Sequence, residues 1–480
     1  MLLSFAAGAS ELSLPSVIGD SMVLQREQAV PIWGWTSPGQ KVVVEFAGQK
    51  RMATADKSGR WEVRLKSLKA SAEPRELVIE AGARRVLTNI LVGEVWFCSG
   101  QSNMEKPIGE MGGQKPCVNW REELSAAEFP QIRFFKAARV ASNLPAPNVG
   151  GDWSVCSSNS LEATKFSAAA YFFGRELHRE LKIPIGLIES SWGGTRIEPW
   201  TPLSALEKVP SLARYAEGGR KGEKVDGQIP CRLYNGMVAP IMPFAIRGAL
   251  WYQGESNCMD SHDGLAYTEK MRVMIEAWRA AWGQGAFPFY YVQLAPFAYF
   301  GTRPERVPSP EMLPEIWEAQ TLALNIKNTG MIVTTDLAHN LKDIHPINKQ
   351  DIGKRLALVA LAKTYGRKDV EYAGPWFQRS EIRGDKVVLH FNHTDGGLVS
   401  KDGQPLNWFT IAGADGKFEK ANAVIEGKAV VVSNTAVKAP KAVRFAWRED
   451  AQPNFFNKAG LPAAPFRTDS PVAKKLPTDF

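Results

Sequence analysis

None of the five cysteines stands in a Cys-x-x-Cys pair, the spacing that zinc ribbons and thioredoxin-like centres need. They are Cys98, Cys117, Cys156, Cys231 and Cys258, and an odd count leaves at least one free thiol. Cys98 lies in an apolar run and reads as a buried thiol. Cys117 and Cys156 lie in loops, where an oxidising compartment would let them pair. Past the first residues no run approaches the roughly 20 apolar residues of a membrane span. Dense basic runs are missing too. The net charge is +8, yet the longest grouping is Arg220-Lys221…Lys224 in a polar loop. A solvated basic surface is therefore expected, with no nucleic-acid partner. The chain has no internal repeat and no low-complexity segment.

The first residues, MLLSFAAGASE, are apolar from Leu2 to Ala7 and then small before Glu11. They read as a truncated secretory signal without its basic start, or as a short disordered start, and the expected location is secreted or periplasmic. The 480 residues are too many for one core. Residues 1–92 show short alternating runs, such as Lys41–Phe46 and Trp61–Leu65, with turn residues between them. They predict a β-sandwich. Residues 93–370 change pattern. Five apolar runs, Glu94–Ser99, Gly186–Ser191, Ile246–Gln253, Pro288–Leu294 and Gly330–Asp336, alternate with helical segments at Phe166–Leu181, Leu265–Trp282 and Ile347–Tyr365. That alternation predicts an α/β domain with a doubly wound parallel sheet. Residues 371–480 return to β, and Asn454–Phe480 reads as an irregular strap. The 15 tryptophans fit a sugar-binding cleft and a large β-rich core equally well.

In open α/β sheets ligands bind at the carboxyl ends of the strands. Here those ends carry Ser99-Gly100-Gln101-Ser102-Asn103-Met104, Ser190-Ser191-Trp192-Gly193-Gly194-Thr195, Tyr252-Gln253-Gly254-Glu255-Ser256-Asn257 and, after Asp336, Lys342-Asp343-Ile344-His345-Pro346. Taken singly, Ser102 is a turn or helix-cap serine and Gly193-Gly194 a tight turn. Turn chemistry does not explain their convergence on one sheet edge. A serine nucleophile needs a base, and histidine serves near neutral pH. Of the six histidines, His345 follows the last strand, with Asp343 two residues earlier to orient its ring. His262 and His339 are weaker alternatives, and Asp336 is the runner-up acid. Oxyanion donors are expected from the Ser102 and Gly194 N–H groups and from a side-chain amide, Gln253 or Asn257, with Gln253 preferred. Glu255 reads as a carboxylate that organises its loop.

These blocks resemble those of SGNH-type hydrolases, in the sialate O-acetylesterase family and its carbohydrate acetylesterase relatives. GQSNM, SWGGT, WYQGESN and D-I-H-P carry the likeness. DSMVLQ, PIWGWTSPGQ, AVRFAW and GLPAAPFRTD extend it over nearly the whole chain. The resemblance implies a flavodoxin-like three-layer SGNH domain flanked by β-sandwich-like domains. It implies a triad of Ser102, His345 and Asp343, with oxyanion donors from Ser102, Gly194 and Gln253. Two features depart from the wider pattern. The third block reads Gln-Gly-Glu-Ser-Asn where Gly-x-x-Asn is usual, and the acid lies two rather than three residues before the histidine. Some relatives carry an inserted β domain after the second block, for which Thr201–Met237 is too short. The implied reaction is de-acetylation of an O-acetylated sugar, with no metal or organic cofactor. For a sialic acid substrate, Arg196 would meet the carboxylate and Asn257 would assist binding. A neutral acetylated glycan is the alternative. A non-catalytic glycan-binding protein and a lipid esterase are the competing classes.

Overall fold

The computed structural model describes residues 12–260, 263–307 and 309–477. The signal-like stretch 1–11 and His262 lie outside the described residues. Strand β1 (Val23–Gln25) is followed by β2 (Val30–Trp35), β3 (Lys41–Phe46), β4 (Gln49–Thr54), β5 (Arg60–Leu65), β6 (Ser71–Ala81) and β7 (Ala83–Gly100). The alternation in KVVVEF puts Val42, Val44 and Phe46 of β3 in the core and leaves Lys41 and Glu45 exposed. Strands β3, β4, β6 and the first half of β7 pair antiparallel, and β2 pairs with β5.

Strand β7 is 18 residues long and does two jobs. Its first half pairs with β6 and, in parallel, with β1. Its second half enters the central sheet. The expected boundary at 92/93 therefore falls inside one continuous strand, not in a linker. Gly93 sits at this crossing, where a Cβ would lie 1.9 Å from the Pro184 carbonyl oxygen.

After β7 come the short helix α1 (Ser102–Glu105), β8 (Phe129–Lys136), β9 (Trp153–Cys156), α2 (Ala168–Leu181), β10 (Ile185–Ser191), β11 (Gly248–Tyr252), α3 (Glu255–Asp260), α4 (Tyr267–Trp282), β12 (Phe289–Val292), α5 (Met312–Leu322), β13 (Thr329–Ile332) and α6 (Lys349–Lys363). The sheet order is β13-β12-β11-β7-β10-β8-β9. Only the edge strand β9 runs antiparallel to its neighbour. Along β7, alternate side chains go to opposite layers. Trp96 and Cys98 pack with α2 and α6, while Val95 and Phe97 pack with α4 and α5. Helices thus cover both faces of a mixed sheet.

The five expected strands are present. Strand β8 was not anticipated, because Arg133 interrupts its apolar run. Arg133 is buried and donates to the Pro130 and Asn89 oxygens, so the charge is absorbed locally. Helix α5 was also missed. Its residues 312–314 and 316–322 are buried, so no polar face marks a helical period.

The C-terminal segment forms two four-stranded antiparallel sheets around Phe391, Phe409, Phe445, Phe455 and Phe466. The supposed strap is more regular than expected, since Phe455–Asn457 pairs with Leu398–Ser400 and Phe466–Arg467 pairs with Ala442–Phe445. This segment braces the sheet edge. Arg467 pairs with Glu318 at 2.6 Å, and Gln452 Nε2 donates to the Ala338 carbonyl at 2.6 Å. Trp61, Trp96, Trp200, Trp251, Trp278 and Trp317 are fully buried, which places much of the tryptophan content in the core. All five cysteines are buried and free, which corrects the Cys117–Cys156 pairing. Their thiols face separate carbonyls, Pro107 and Ala127. Among the described residues no helix is long and apolar enough to cross a membrane.

Candidate active site

Strand β7 lies between β10 and β11, and the chain builds outward from it in both directions. Its carboxyl end is a topological switch point, where a crevice opens. Gly100 makes the exit possible. Its φ is +142°, and a Cβ there would stand 2.1 Å from the Tyr252 carbonyl oxygen. The Gly100 carbonyl accepts the Trp192 N–H at 3.1 Å, and the Gln101 N–H donates to Tyr252 at 3.0 Å, so both neighbouring strand ends are pinned to the turn. Ser102 follows, half-buried, as the first residue of α1.

His345 arrives from the loop after β13. Its Nε2 lies 3.0 Å from Ser102 Oγ, although 243 residues separate the two in sequence. Asp343 Oδ1 accepts the His345 backbone N–H at 3.0 Å and lies 3.5 Å from Nδ1 of the same ring. The other oxygen, Oδ2, lies 3.3 Å from His339 Nε2. His339, weighed as an alternative base, thus meets the acid rather than the serine. Asp336 is committed elsewhere, in a two-pronged pair with Arg355 at 2.8 and 2.7 Å. Burial pushes the His345 imidazole down to about 4, with the Lys349 charge adding to the effect and Asp343 opposing it. The ring is therefore neutral near neutral pH, the state in which Nε2 accepts a proton.

Gly193 packs against the serine, with an ideal Cβ position 3.3 Å from Ser102 Cβ. Its N–H donates to Glu105 Oε2 at 2.9 Å, and Glu105 is held in turn by Arg139. Gly194 is exposed, with φ +75° and open space where a Cβ would be. Neither the Ser102 nor the Gly194 N–H has an acceptor among the described residues. Backbone N–H groups without an acceptor are suited to receive an oxyanion.

Three residues expected at a ligand are buried and hydrogen-bonded within the protein. Gln253 is fully buried, with its Nε2 3.2 Å from Gln101 Oε1. Its Nε2 donates to Asn257 Oδ1 at 2.7 Å and the Thr195 carbonyl at 3.1 Å, and its Oε1 accepts Tyr267 Oη at 2.7 Å. Asn257 is also fully buried. Its amide donates to Asp263 at 2.7 Å and to Glu198, and its Oδ1 accepts the Ile197 N–H at 3.0 Å. Arg196, whose side chain is 1% exposed, pairs with Glu198 at 3.0 Å, Asp226 at 3.6 Å and Asp263 at 3.8 Å. Gln253 and Asn257 thereby hold the Thr195 carbonyl and the Ile197 N–H of the second block. Gln228 completes the clamp, donating to the Gly194 carbonyl at 2.8 Å and accepting the Arg196 N–H at 3.1 Å.

Glu255 is a buried loop carboxylate, raised above its ordinary range by burial and stabilised by Asn103, which donates to it at 2.6 Å. Sequence reasoning missed Asn103, Glu105, Gln228 and Lys349. Asn103 and Glu105 follow the serine within three residues. Gln228 and Lys349 carry no local signal, because a polar residue in a loop or at a helix start is usually solvated. Among the described residues no group of three or more His, Cys, Asp or Glu side chains is placed to hold a metal ion. A groove of about 850 Å³ lined by Leu265, Arg272, Ala280 and Ile326 does not include the Ser102 region.

The family model described as carbohydrate esterase, sialic acid-specific acetylesterase, matches residues 92–362. The chain is 31% identical over 418 residues to the sialate O-acetylesterase of Homo sapiens, covering 79% of this chain and 76% of that protein. The sialate O-acetylesterase of Mus musculus is 29% identical over 437 residues, covering 79% and 78%. A crystal structure of a carbohydrate acetylesterase from Xanthomonas citri superposes with a TM-score of 0.86 at 36% identity, covering 96% of this chain and 100% of that one. The chain therefore belongs to the sialic acid-specific acetylesterase family of carbohydrate esterases, and it is a carboxylic ester hydrolase.

Proposed function

We propose that this enzyme removes O-acetyl groups from carbohydrates by a serine acyl-enzyme mechanism on an SGNH-like sheet, with 1–92 and 371–480 as flanking β domains. The 3.0 Å approach of His345 Nε2 to Ser102 Oγ carries the reading. Ser102 Oγ attacks the acetyl carbonyl while His345 takes its proton. The new negative charge on the carbonyl oxygen faces the N–H groups of Ser102 and Gly194, which need no reorganisation to receive it. Asp343 fixes the ring and favours the imidazolium that forms. The tetrahedral intermediate then collapses, the carbon–oxygen bond to the sugar breaks, and His345 returns the proton to the leaving hydroxyl. Water, deprotonated by His345, attacks the acetyl-enzyme in the same geometry, and acetate leaves with Ser102 restored.

Family membership supports O-acetylated sialic acids as substrate. The second reading is a neutral glycan such as acetylated xylan or xyloglucan, which does not need the cation expected for a sialate carboxylate. Arg196, the cation expected to meet a sialate carboxylate, is buried in a carboxylate cluster. The test is acetate release from O-acetylated sialic acids, acetyl-xylan, acetyl-xyloglucan and a chromogenic acetate ester. Ser102→Ala should cut kcat by about four to six orders of magnitude. Wild-type activity in that variant removes Ser102 as nucleophile. A wild-type enzyme inactive on every substrate favours the glycan-binding reading.

A further inference from the structure

Lys349 opens helix α6, and none of it reaches solvent. Its Nζ donates to Asn103 Oδ1 at 2.6 Å and lies 4.8 Å from the centre of the Tyr252 ring. Asn103 Nδ2 donates onward to Glu255 Oε1 at 2.6 Å and to the Ile344 carbonyl at 3.0 Å. An ammonium, an amide and a carboxylate therefore run in series beneath the Ser102–His345 pair. The amide belongs to the residue after Ser102, and the carbonyl belongs to the residue before His345.

A lysine in this place is unfavourable on two counts. Fully buried lysines are rare, and a helix N-terminus disfavours a cation. Its helix would start as well with an apolar or acidic residue. What the lysine adds is a donor for Asn103 and a positive charge near the imidazole.

The titratable groups facing this pair come from several elements. Asp343 comes from the histidine's own loop, with His339 across it. Lys106 and Cys117 follow the nucleophile turn, and Glu255 and Tyr252 come from the end of β11. Glu105 is turned away toward Gly193 and Arg139. Burial, Lys349 and Lys106 disfavour a protonated His345, and Asp343 favours it. Burial lowers Lys349 itself to about 7; Lys106 adds to this, while Cys117, Glu255 and Asp343 oppose it.

We propose that Lys349 is a positioning residue for acetyl transfer: through Asn103 it fixes the Ser102 turn against the His345 loop. The inference rests on Ser102 and His345 being the reacting pair. The experiment compares kcat/KM against pH for the full chain carrying Lys349→Gln, Lys349→Met or Lys349→Arg, with Ser102→Ala as control, on a chromogenic acetate ester. Lys349→Gln keeps a donor for Asn103 and loses the charge, Lys349→Met loses both, and Lys349→Arg keeps the charge. The acid limb should rise by about one pH unit in Lys349→Gln and Lys349→Met and stay in place in Lys349→Arg. In Lys349→Met, kcat should also fall about tenfold while KM holds within about twofold. A folded Lys349→Met enzyme with the wild-type limb and wild-type kcat overturns the inference. If Lys349→Met fails to fold, Lys349→Gln decides: a raised acid limb supports the inference, and a wild-type limb with wild-type kcat and KM overturns it. An active Ser102→Ala enzyme overturns the reading of the site itself. An inactive Ser102→Ala enzyme beside unaffected Lys349 variants overturns only the role of Lys349.

Discussion

Asn103 Nδ2 donates to the backbone carbonyl of Ile344 at 3.0 Å, so the residue after Ser102 holds the residue before His345. The contact joins chain segments 241 residues apart. It sets the distance between Ser102 and His345 without touching either side chain. Asn103→Leu removes this bond and strands the Glu255 carboxylate and the Lys349 ammonium in the interior. Denaturant unfolding should show a loss of about 3 kcal/mol or more. In the folded fraction kcat should fall about 10–100-fold with little change in KM. Wild-type kcat in folded Asn103→Leu would show that the clamp does not set the catalytic geometry.

The pH dependence follows from His345, which burial brings down from 6.5 to about 4. The proton-accepting form is the neutral ring. Activity should therefore climb through about pH 4 and stay level above pH 5, with no step near 6.5. The stability sign is the same. Between about 4 and 6.5 the unfolded chain binds a proton at His345 that the native ring refuses. The contribution of this group to stability thus rises with pH across that window and is constant below and above it. A kcat/KM profile with its acid limb at 6.5 contradicts the assignment.

Two glycines of the site should respond differently to one methyl group. Gly100→Ala drives a Cβ to 2.1 Å from the Tyr252 carbonyl oxygen, a backbone atom of a buried strand that cannot yield. A loss of about 3 kcal/mol or more, or failure to fold, is expected. Gly194→Ala meets open space and bears only the strain of φ +75°, about 1–2 kcal/mol. Its N–H is retained, so kcat should stay within about tenfold of wild type. Thermal melts and steady-state rates on both variants check the contrast.

Arg196 should behave as an internal residue. Arg196→Met leaves Glu198, Asp226 and Asp263 without the guanidinium that joins them. The expected cost is about 3–5 kcal/mol of stability. At a temperature where the variant is folded, KM for an O-acetylated sialic acid should match wild type. A specific rise in that KM, absent with a neutral acetylated glycan, would return Arg196 to the substrate site.

Much of the fold was legible because it follows short-range rules. Continuous apolar runs bounded by glycine and small polar residues became β7, β10, β11, β12 and β13. Helical spacing marked α2, α4 and α6. These signals fade where burial is complete or a charge is absorbed locally, which is why α5 and β8 escaped. Gly100 was readable because a backbone that must pass close to a neighbour leaves glycine behind, and Gly194 because its φ is positive.

Gln253, Asn257 and Arg196 mark the limit of that reading. Each follows a strand end, where a ligand contact was a reasonable expectation, and each is buried among partners of the protein itself. Their direction depends on partners such as Tyr267, Asp263 and Glu198, which local chain chemistry does not bring together.

The sequence by itself determined the strand ends, their small polar residues, and the presence of a serine, a histidine and an aspartate among them. Backbone sterics and side-chain alternation act over a few residues, so these features are local. Tertiary structure alone decided that His345 reaches Ser102, that Asn103 and Lys349 lie beneath them, and that the amides of the third block face inward. Those outcomes depend on strand order and on which buried polar groups must satisfy one another, and both are properties of the packed whole.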